Sequence, residues 1–203
     1  MLSVLLVEDN DAHAELFELK LNAIEGLNFD ITRCGSGDEV IQNYPSLSPS
    51  VVFMDYRLGD TNGVDLIERL RSLGVGWPIV VLTGQGDEYV AARITRAGAD
   101  DYLVKDDITE DRLIDALDRA LALNAERQET GQEKSELRQR LATLTARESE
   151  VLDAIMAGKT NKEIASDFSR SIKTIKIHRS RVMTKMNAQT PAELARLVML
   201  ARD

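Results

Sequence analysis

The sequence has one cysteine, Cys34, in 203 residues, so an internal disulfide is excluded and a reducing compartment is the simpler setting. No apolar run approaches the roughly 20 residues needed to span a bilayer. No basic segment stands before the short apolar start at Leu2 to Val7, which reads as a core strand rather than a signal peptide. The expectation is a cytoplasmic protein with no membrane partner. Positive charge is also scarce, with 25 Lys and Arg against 34 Asp and Glu, a net charge of −9. Spread evenly, that balance would argue against nucleic acid. Residues 1–120 hold 23 acids and 10 bases, whereas residues 121–203 hold 11 acids and 15 bases. Such asymmetry predicts an acidic regulatory half and a basic half that faces nucleic acid.

The most informative stretch is Val51-Val52-Phe53-Met54-Asp55-Tyr56-Arg57-Leu58-Gly59-Asp60-Thr61-Asn62-Gly63. Its first half is a buried strand ending in a carboxylate, followed by a glycine-containing loop and a helical repeat from Val64 to Leu73. Three further apolar runs end in chemistry. Val4 to Val7 ends in Glu8-Asp9, Pro78 to Leu82 ends in Thr83-Gly84, and Tyr102 to Val104 ends in Lys105. Open parallel sheets place ligand chemistry at the carboxyl ends of their strands. Three acids suit Mg²⁺, which takes oxygen ligands and usually keeps waters and a substrate phosphate. A lysine and a small hydroxyl suit phosphoryl oxygens. Asn10 to Ile24 reads as an amphipathic helix carrying Leu16, Leu19 and Leu21, with His13 in its first turn, where a solvated histidine is expected over a metal ligand. Asp107-Ile108-Thr109-Glu110 has the spacing of a capping box that opens the fifth helix.

Residues 1 to about 120 resemble the receiver domain of two-component response regulators. The resemblance rests on Glu8-Asp9, Asp55, Thr83, Tyr102 and Lys105 in order across five β/α units, and on the spacing from Asp55 to Gly63. It implies a (βα)5 flavodoxin-like α/β fold with parallel strand order 2-1-3-4-5. It also implies Mg²⁺ held by Glu8, Asp9, Asp55 and the Arg57 carbonyl, with Asp55 accepting a phosphoryl group from a sensor histidine kinase. Lys105 and Thr83 would serve that transfer, and Thr83 with Tyr102 would form the switch. Two departures stand out, Gly59 and Asp106 at positions where many receivers have proline. The second implies that Lys105 is held less firmly than, or differently from, its counterpart in those receivers.

From Asn124 to Arg140 the chain is rich in Glu, Gln, Lys and Arg, and reads as a polar, partly helical linker. Beyond it, Thr145-x-x-Glu148, Thr160-x-x-Glu163 and Thr190-x-x-Glu193 each open a helix, and Gly158 stops one. The texts LTARESEVL (144–152), GKTNKEIA (158–165) and SIKTIKIHRSRVMTKM (171–186) resemble the LuxR-type DNA-binding domain of the NarL/FixJ class of response regulators. The expected layout is a receiver at 1–122, the linker at 123–142 and an all-α four-helix helix-turn-helix domain at 143–203. Ile175, Val182 and Met186 form its buried stripe, with His178 on or beside it. Lys173, Thr174, Lys176, Ile177, Arg179, Ser180 and Thr184 are the candidate contacts to double-stranded DNA. On the last helix, Leu194, Leu197, Val198 and Ala201 suffice for the core, and Met199 falls on another face, which points to a homodimer.

The resemblance thus implies a phosphorylation-switched transcription regulator rather than an enzyme acting on other substrates. A flavin-nucleotide carrier could share the sheet, but Glu8-Asp9-Asn10-Asp11 would repel its phosphate. An aspartyl-phosphate hydrolase would resemble others of its kind in having an acid at position 57, where this chain has Arg57. A receiver that signals without phosphorylation is the nearer rival.

Overall fold

The computed structural model describes residues 1–59, 61–84 and 88–202. Five apolar runs form five parallel strands: β1 (Leu2–Val7), β2 (Phe29–Cys34), β3 (Val51–Asp55), β4 (Ile79–Thr83) and β5 (Asp101–Val104). Their spatial order is 2-1-3-4-5. All five residues of β3 and of β4 are buried, as expected of strands covered on both faces. Alternation then sorts side chains into two cores. Leu5, Val7, Val52, Met54, Ile79 and Val81 meet one set of helices, and Val4, Leu6, Val51, Phe53, Val80 and Leu82 meet the other.

The first core is closed by α2 (Gly37–Asn43), α3 (Gly63–Ser72) and α4 (Glu88–Ala97), through Val40, Ile67, Leu70 and Ile94. The second is closed by α1 (Asp11–Asn22) and by the start of α5 (Glu110–Ala142). Not every apolar residue of α1 faces this core. Ala14, Phe17 and Leu21 are buried, whereas Leu16 and Leu19 are 55% and 69% exposed. Positions 14, 17 and 21 share one arc of a 3.6-residue helix, and 16 and 19 fall outside it. Residues 85–87, beyond the Thr83-Gly84 end of β4, lie outside the described residues, as does Asp60.

The opening of α5 also differs from expectation. Lys105–Asp107 forms a single 3-10 turn, and the Thr109 hydroxyl accepts the Arg112 N–H. Asp107 pairs with the Arg112 guanidinium instead of capping the helix. The helix then continues without a break to Ala142, so the polar run at 124–140 is helical throughout rather than partly so. Its Glu, Gln, Lys and Arg residues are good helix formers.

By contacts the chain divides into two units, 1–127 and 128–203. In the second unit, α6 (Ala146–Met156), α7 (Asn161–Asp167), α8 (Ile172–Met186) and α9 (Pro191–Arg202) pack around Val151, Ile164, Ile175, Val182, Met186 and Leu194. Leu137, near the end of α5, is buried in the same core, so the polar run contributes one core residue that its composition concealed. Thr145 and Thr160 each form the reciprocal capping box with Glu148 and Glu163. At Thr190 the box is altered: its hydroxyl accepts the Glu193 N–H, but the Glu193 carboxylate accepts from Gln189.

Glu148 carries more than its cap. It is 3% exposed, and one carboxylate oxygen accepts from both the Thr145 N–H (2.9 Å) and the Lys185 ammonium (2.7 Å). The Lys185 hydrogen bond first, and the Thr145 backbone bond next, hold its pKa down to about 2, from an ordinary 4.5. A depressed folded-state pKa contributes stability that is present above the ordinary value and is lost as pH falls through the folded one. Glu148→Gln is expected to lower the calorimetric transition of the second unit at neutral pH. It should also flatten that transition's decline between pH 4.5 and about 2. An acid decline identical to the parent chain's would contradict this role.

Gly63 makes a comparable demand in the first unit. Its N–H donates to the Tyr56 carbonyl at 2.8 Å, and a Cβ there would overlap the Asp55 carbonyl oxygen. Asn62 caps α3 at this point by accepting the Val64 N–H at 2.7 Å. Gly63→Ala should destabilise the first unit by about 1–3 kcal/mol in a denaturant melt, because backbone rather than a flexible side chain must move.

Candidate functional site

β1, β3, β4 and β5 all end at one edge of the sheet, and register brings their last residues level. Val7 stands beside Met54, Asp55 beside Leu82, and Thr83 beside Val104. The residues at or just beyond these ends are therefore neighbours: Glu8, Asp55, Thr83 and Lys105. Glu8 is 2% exposed and Asp55 is 7% exposed, so both carboxylates need a partner. Lys105 supplies it to both, donating to Glu8 Oε2 at 2.7 Å and to Asp55 Oδ2 at 2.9 Å. Burial works against the Lys105 ammonium. Its hydrogen bonds to Glu8 and Asp55, with their charges, outweigh that and raise its pKa above the ordinary value. The ammonium remains charged at neutral pH. It does so although Asp106 follows it, and among the described residues no peptide bond is cis.

The other expected site residues are placed less uniformly. Thr83 is buried and lines the same hollow as Asp55, Arg57 and Lys105. Asp9 is exposed, and its Oδ2 accepts the Gly59 N–H at 2.9 Å, tying the β1 end to the loop after Asp55. That loop is a short antiparallel ladder in which Arg57–Leu58 pairs with Thr61–Asn62, and Gly59 adopts a φ of +55°. Tyr102 is half-buried against the first core and does not line the hollow of Asp55.

His13 also lines that hollow, while remaining the exposed helix-start residue expected of it. Its side chain is 55% exposed, yet Nδ1 lies 3.6 Å from Glu8 Oε1. Tyr56 lines the hollow too, and its hydroxyl accepts from Arg93 at 3.2 Å. The sequence signal for His13 is slight: four residues stand between it and Glu8, and one of them, Asn10, caps α1. The donor set fits a divalent cation. One ligand atom each from Glu8, His13 and Asp55 lie within 4.8 Å of one another, and two buried carboxylates outnumber the one half-buried ammonium.

In the second unit, α8 carries Lys173, Lys176, Ile177, Ser180 and Thr184 as one exposed stripe, with Ile177 47% exposed. Thr174 and Arg179 are half-buried, and the Thr174 hydroxyl sits 2.9 Å from that of Ser171, which caps α8. Of the six bases between Arg170 and Lys185, Lys185 turns inward to Glu148 and to the Thr143 carbonyl. His178 is half-buried beside Phe168, with an Nδ1 that no described hydrogen bond satisfies.

Comparison with known proteins agrees with both halves. Residues 4–118 match the response regulator receiver domain, and residues 142–198 match the luxR family of bacterial regulatory proteins. The chain is 32% identical to the transcriptional regulatory protein TdiR of Thauera aromatica, over 97% of this chain and 85% of that protein. It is 31% identical to the transcriptional regulatory protein FixJ of Bradyrhizobium diazoefficiens, over 88% of this chain and 86% of that one. Among solved structures, response regulator StyR matches with a TM-score of 0.67 at 30% identity, over 97% of this chain and 98% of that one. Full-length FixJ from B. japonicum matches with a TM-score of 0.58 at 29% identity, over 99% and 97% of the two chains. No helix among the described residues is long and apolar enough to cross a membrane. A receiver edge of buried acids bridged by a lysine, joined in one chain to a capped four-helix domain with an exposed basic stripe, thus belongs to the response regulators that act as two-component transcriptional regulators through a LuxR-type DNA-binding domain.

Proposed function

We propose that Asp55 is the phosphoryl acceptor and that its phosphorylation controls DNA binding by α8. The observation that carries this reading is the Lys105 ammonium bridging Glu8 and Asp55 at the carboxyl end of the sheet. A carboxylate oxygen of Asp55 attacks the phosphorus of a phosphohistidine on the partner kinase. The P–N bond breaks, its electron pair leaves with the imidazole, and an acyl phosphate remains on Asp55. Lys105 stays within reach of the phosphoryl oxygens and offsets their charge. Glu8, Asp9, Asp55 and the Arg57 carbonyl would hold Mg²⁺, which when bound supplies further charge compensation. Asp9 joins that set by leaving Gly59, which couples the acid pair to the loop after Asp55. Thr83 then donates to the phosphoryl group, and Tyr102 moves toward the space that Thr83 vacates. The chain's only group-transfer chemistry in this reading is onto its own Asp55.

On the DNA side, Lys173, Lys176, Arg179, Ser180 and Thr184 meet phosphates and base edges from the second helix of the helix-turn-helix, with Thr174 at its start. Exposed Ile177 has no core to fill and would meet a thymine methyl. Met199, 64% exposed on α9 opposite the buried Leu194, Leu197, Val198 and Ala201, supports a homodimer on DNA. Two copies would read half-sites about one helical turn apart.

The decisive measurement is an operator titration of the full chain with and without beryllofluoride and Mg²⁺. Tighter binding with the phosphoryl mimic is expected, at two protomers per operator, and Asp55→Asn should lose both this response and labelling by a small phosphodonor. Equal binding in all four conditions would favour a receiver that signals without phosphorylation.

Two substitutions on α8 separate charge from base reading. Lys176→Ala should weaken operator binding by about 1–3 kcal/mol if it reads a base edge, or reduce the salt slope by about one if it meets a phosphate. Ile177→Ala should change sequence preference while leaving the salt slope intact. Unaltered affinity and preference in both variants would remove α8 from the major groove.

A further inference from the structure

His13 has no part in the phosphoryl chemistry above, yet the start of α1 directs it into the same hollow. Asn10 accepts the His13 backbone N–H at 3.1 Å, which fixes where the helix begins and places this side chain beside Glu8. The 3.6 Å between His13 Nδ1 and Glu8 Oε1 is too long for a hydrogen bond, and that oxygen accepts the Asn10 N–H at 3.2 Å instead. Neighbouring ligand atoms around an octahedral ion with bonds of about 2.1 Å stand roughly 3 Å apart, so an ion would draw these two side chains closer together. Asp55 completes the group, since one ligand atom from each of the three residues lies within 4.8 Å of the others. Asp9, the other acid at this edge, is turned to Gly59 in this arrangement.

The chemistry of the set differs from one of acids alone. Mg²⁺ takes oxygen ligands and binds imidazole poorly, whereas Co²⁺, Ni²⁺ and Zn²⁺ accept imidazole nitrogen together with carboxylate. The excess of buried carboxylate over the single Lys105 ammonium supplies attraction for either kind of cation. Only the nitrogen discriminates between them.

Resting on the metal site proposed above, we infer that His13 is a further ligand there, forming with Glu8 and Asp55 a two-carboxylate, one-imidazole set. The set favours a first-row transition ion over Mg²⁺ more strongly than the acids alone would. Charge brings a cation to the hollow, and His13 sets which one stays.

The test is calorimetric titration of the full chain with Co²⁺ and, separately, with Mg²⁺, accompanied by the Co²⁺ visible spectrum. His13→Ala should weaken Co²⁺ binding about tenfold or more and remove an imidazole-dependent shift in the spectrum, with Mg²⁺ affinity changed less than about threefold. His13→Asn, which keeps a polar side chain at this partly exposed position, should do the same. His178→Ala, which removes the other histidine of the chain, should leave the high-affinity Co²⁺ event unchanged. Co²⁺ affinity that is equal in the parent chain and both His13 variants, with Mg²⁺ still bound, would overturn the inference alone. A loss in His178→Ala matching that in His13→Ala would also overturn it. Failure of the parent chain to bind either ion would overturn the metal reading on which it rests.

Discussion

The first unit depends on one ammonium placed between two buried carboxylates. Glu8 and Asp55 are only 2% and 7% exposed, and half-buried Lys105 donates a hydrogen bond to each of them. Removing one member of such a group typically costs about 3–5 kcal/mol, because the charge left behind is neither hydrated nor paired. The arrangement therefore constrains the sheet. The three residues come from the ends of three strands, so β1, β3 and β5 must finish level. A slip of one residue in any of them would turn its apolar side chains to the opposite core as well as withdraw its charge. The carboxylates stand ready for chemistry because strand register holds them there.

The second unit solves a related problem with separate parts. Its basic residues would repel one another if all faced the same way, and one of them is drawn inward. Lys185 is bound by Glu148, itself already bound to the Thr145 backbone, so a single buried acid both caps α6 and anchors the end of α8. The remaining bases are left to the surface, where Lys173 and Lys176 share a stripe with exposed Ile177. Phosphate attraction and base-edge contact can then reside on one helix whose position is set by the opposite face, through Ile175, Val182 and Met186.

Much of this was legible in the sequence because it is local. Apolar runs that end in Glu8, Asp55, Thr83 and Lys105 name their strands and their chemistry at once, and Thr-x-x-Glu names a helix start. The illegible parts depend on partners distant in the chain or on helical phase. Leu16 and Leu19 look like core residues until the phase of α1 is fixed by Ala14, Phe17 and Leu21. Lys185 looks like one more base until Glu148, 37 residues away, is found beside it. His13 looks like a solvated residue because nothing in its own segment reveals that the end of β3 lies next to it.

The polar stretch at the end of the first unit shows the same limit in reverse. The apolar stripe of α5 in the first unit, Leu113, Ala116, Leu117 and Ala120, ends well before the unit does. Ion pairs continue the attachment. Arg119 donates to Asp101, and Arg127 donates to Asp100 at 2.5 Å and to the Gly76 carbonyl at 3.1 Å. Asp100 also accepts from Arg71 and from the Ile79 N–H, so one carboxylate of 10% side-chain exposure joins α3, the start of β4 and α5. Burial lowers the Arg71 pKa, Asp100 opposes that, and the nearby Arg127 charge adds to it. Two guanidiniums this close are tolerable only while Asp100 lies between them. This cluster sits at the amino-terminal ends of the strands, opposite Asp55, and it carries α5 on the receiver as far as Arg127. Composition marks residues 124–140 as a linker because it counts apolar side chains, but the first turn of that stretch is held by charge.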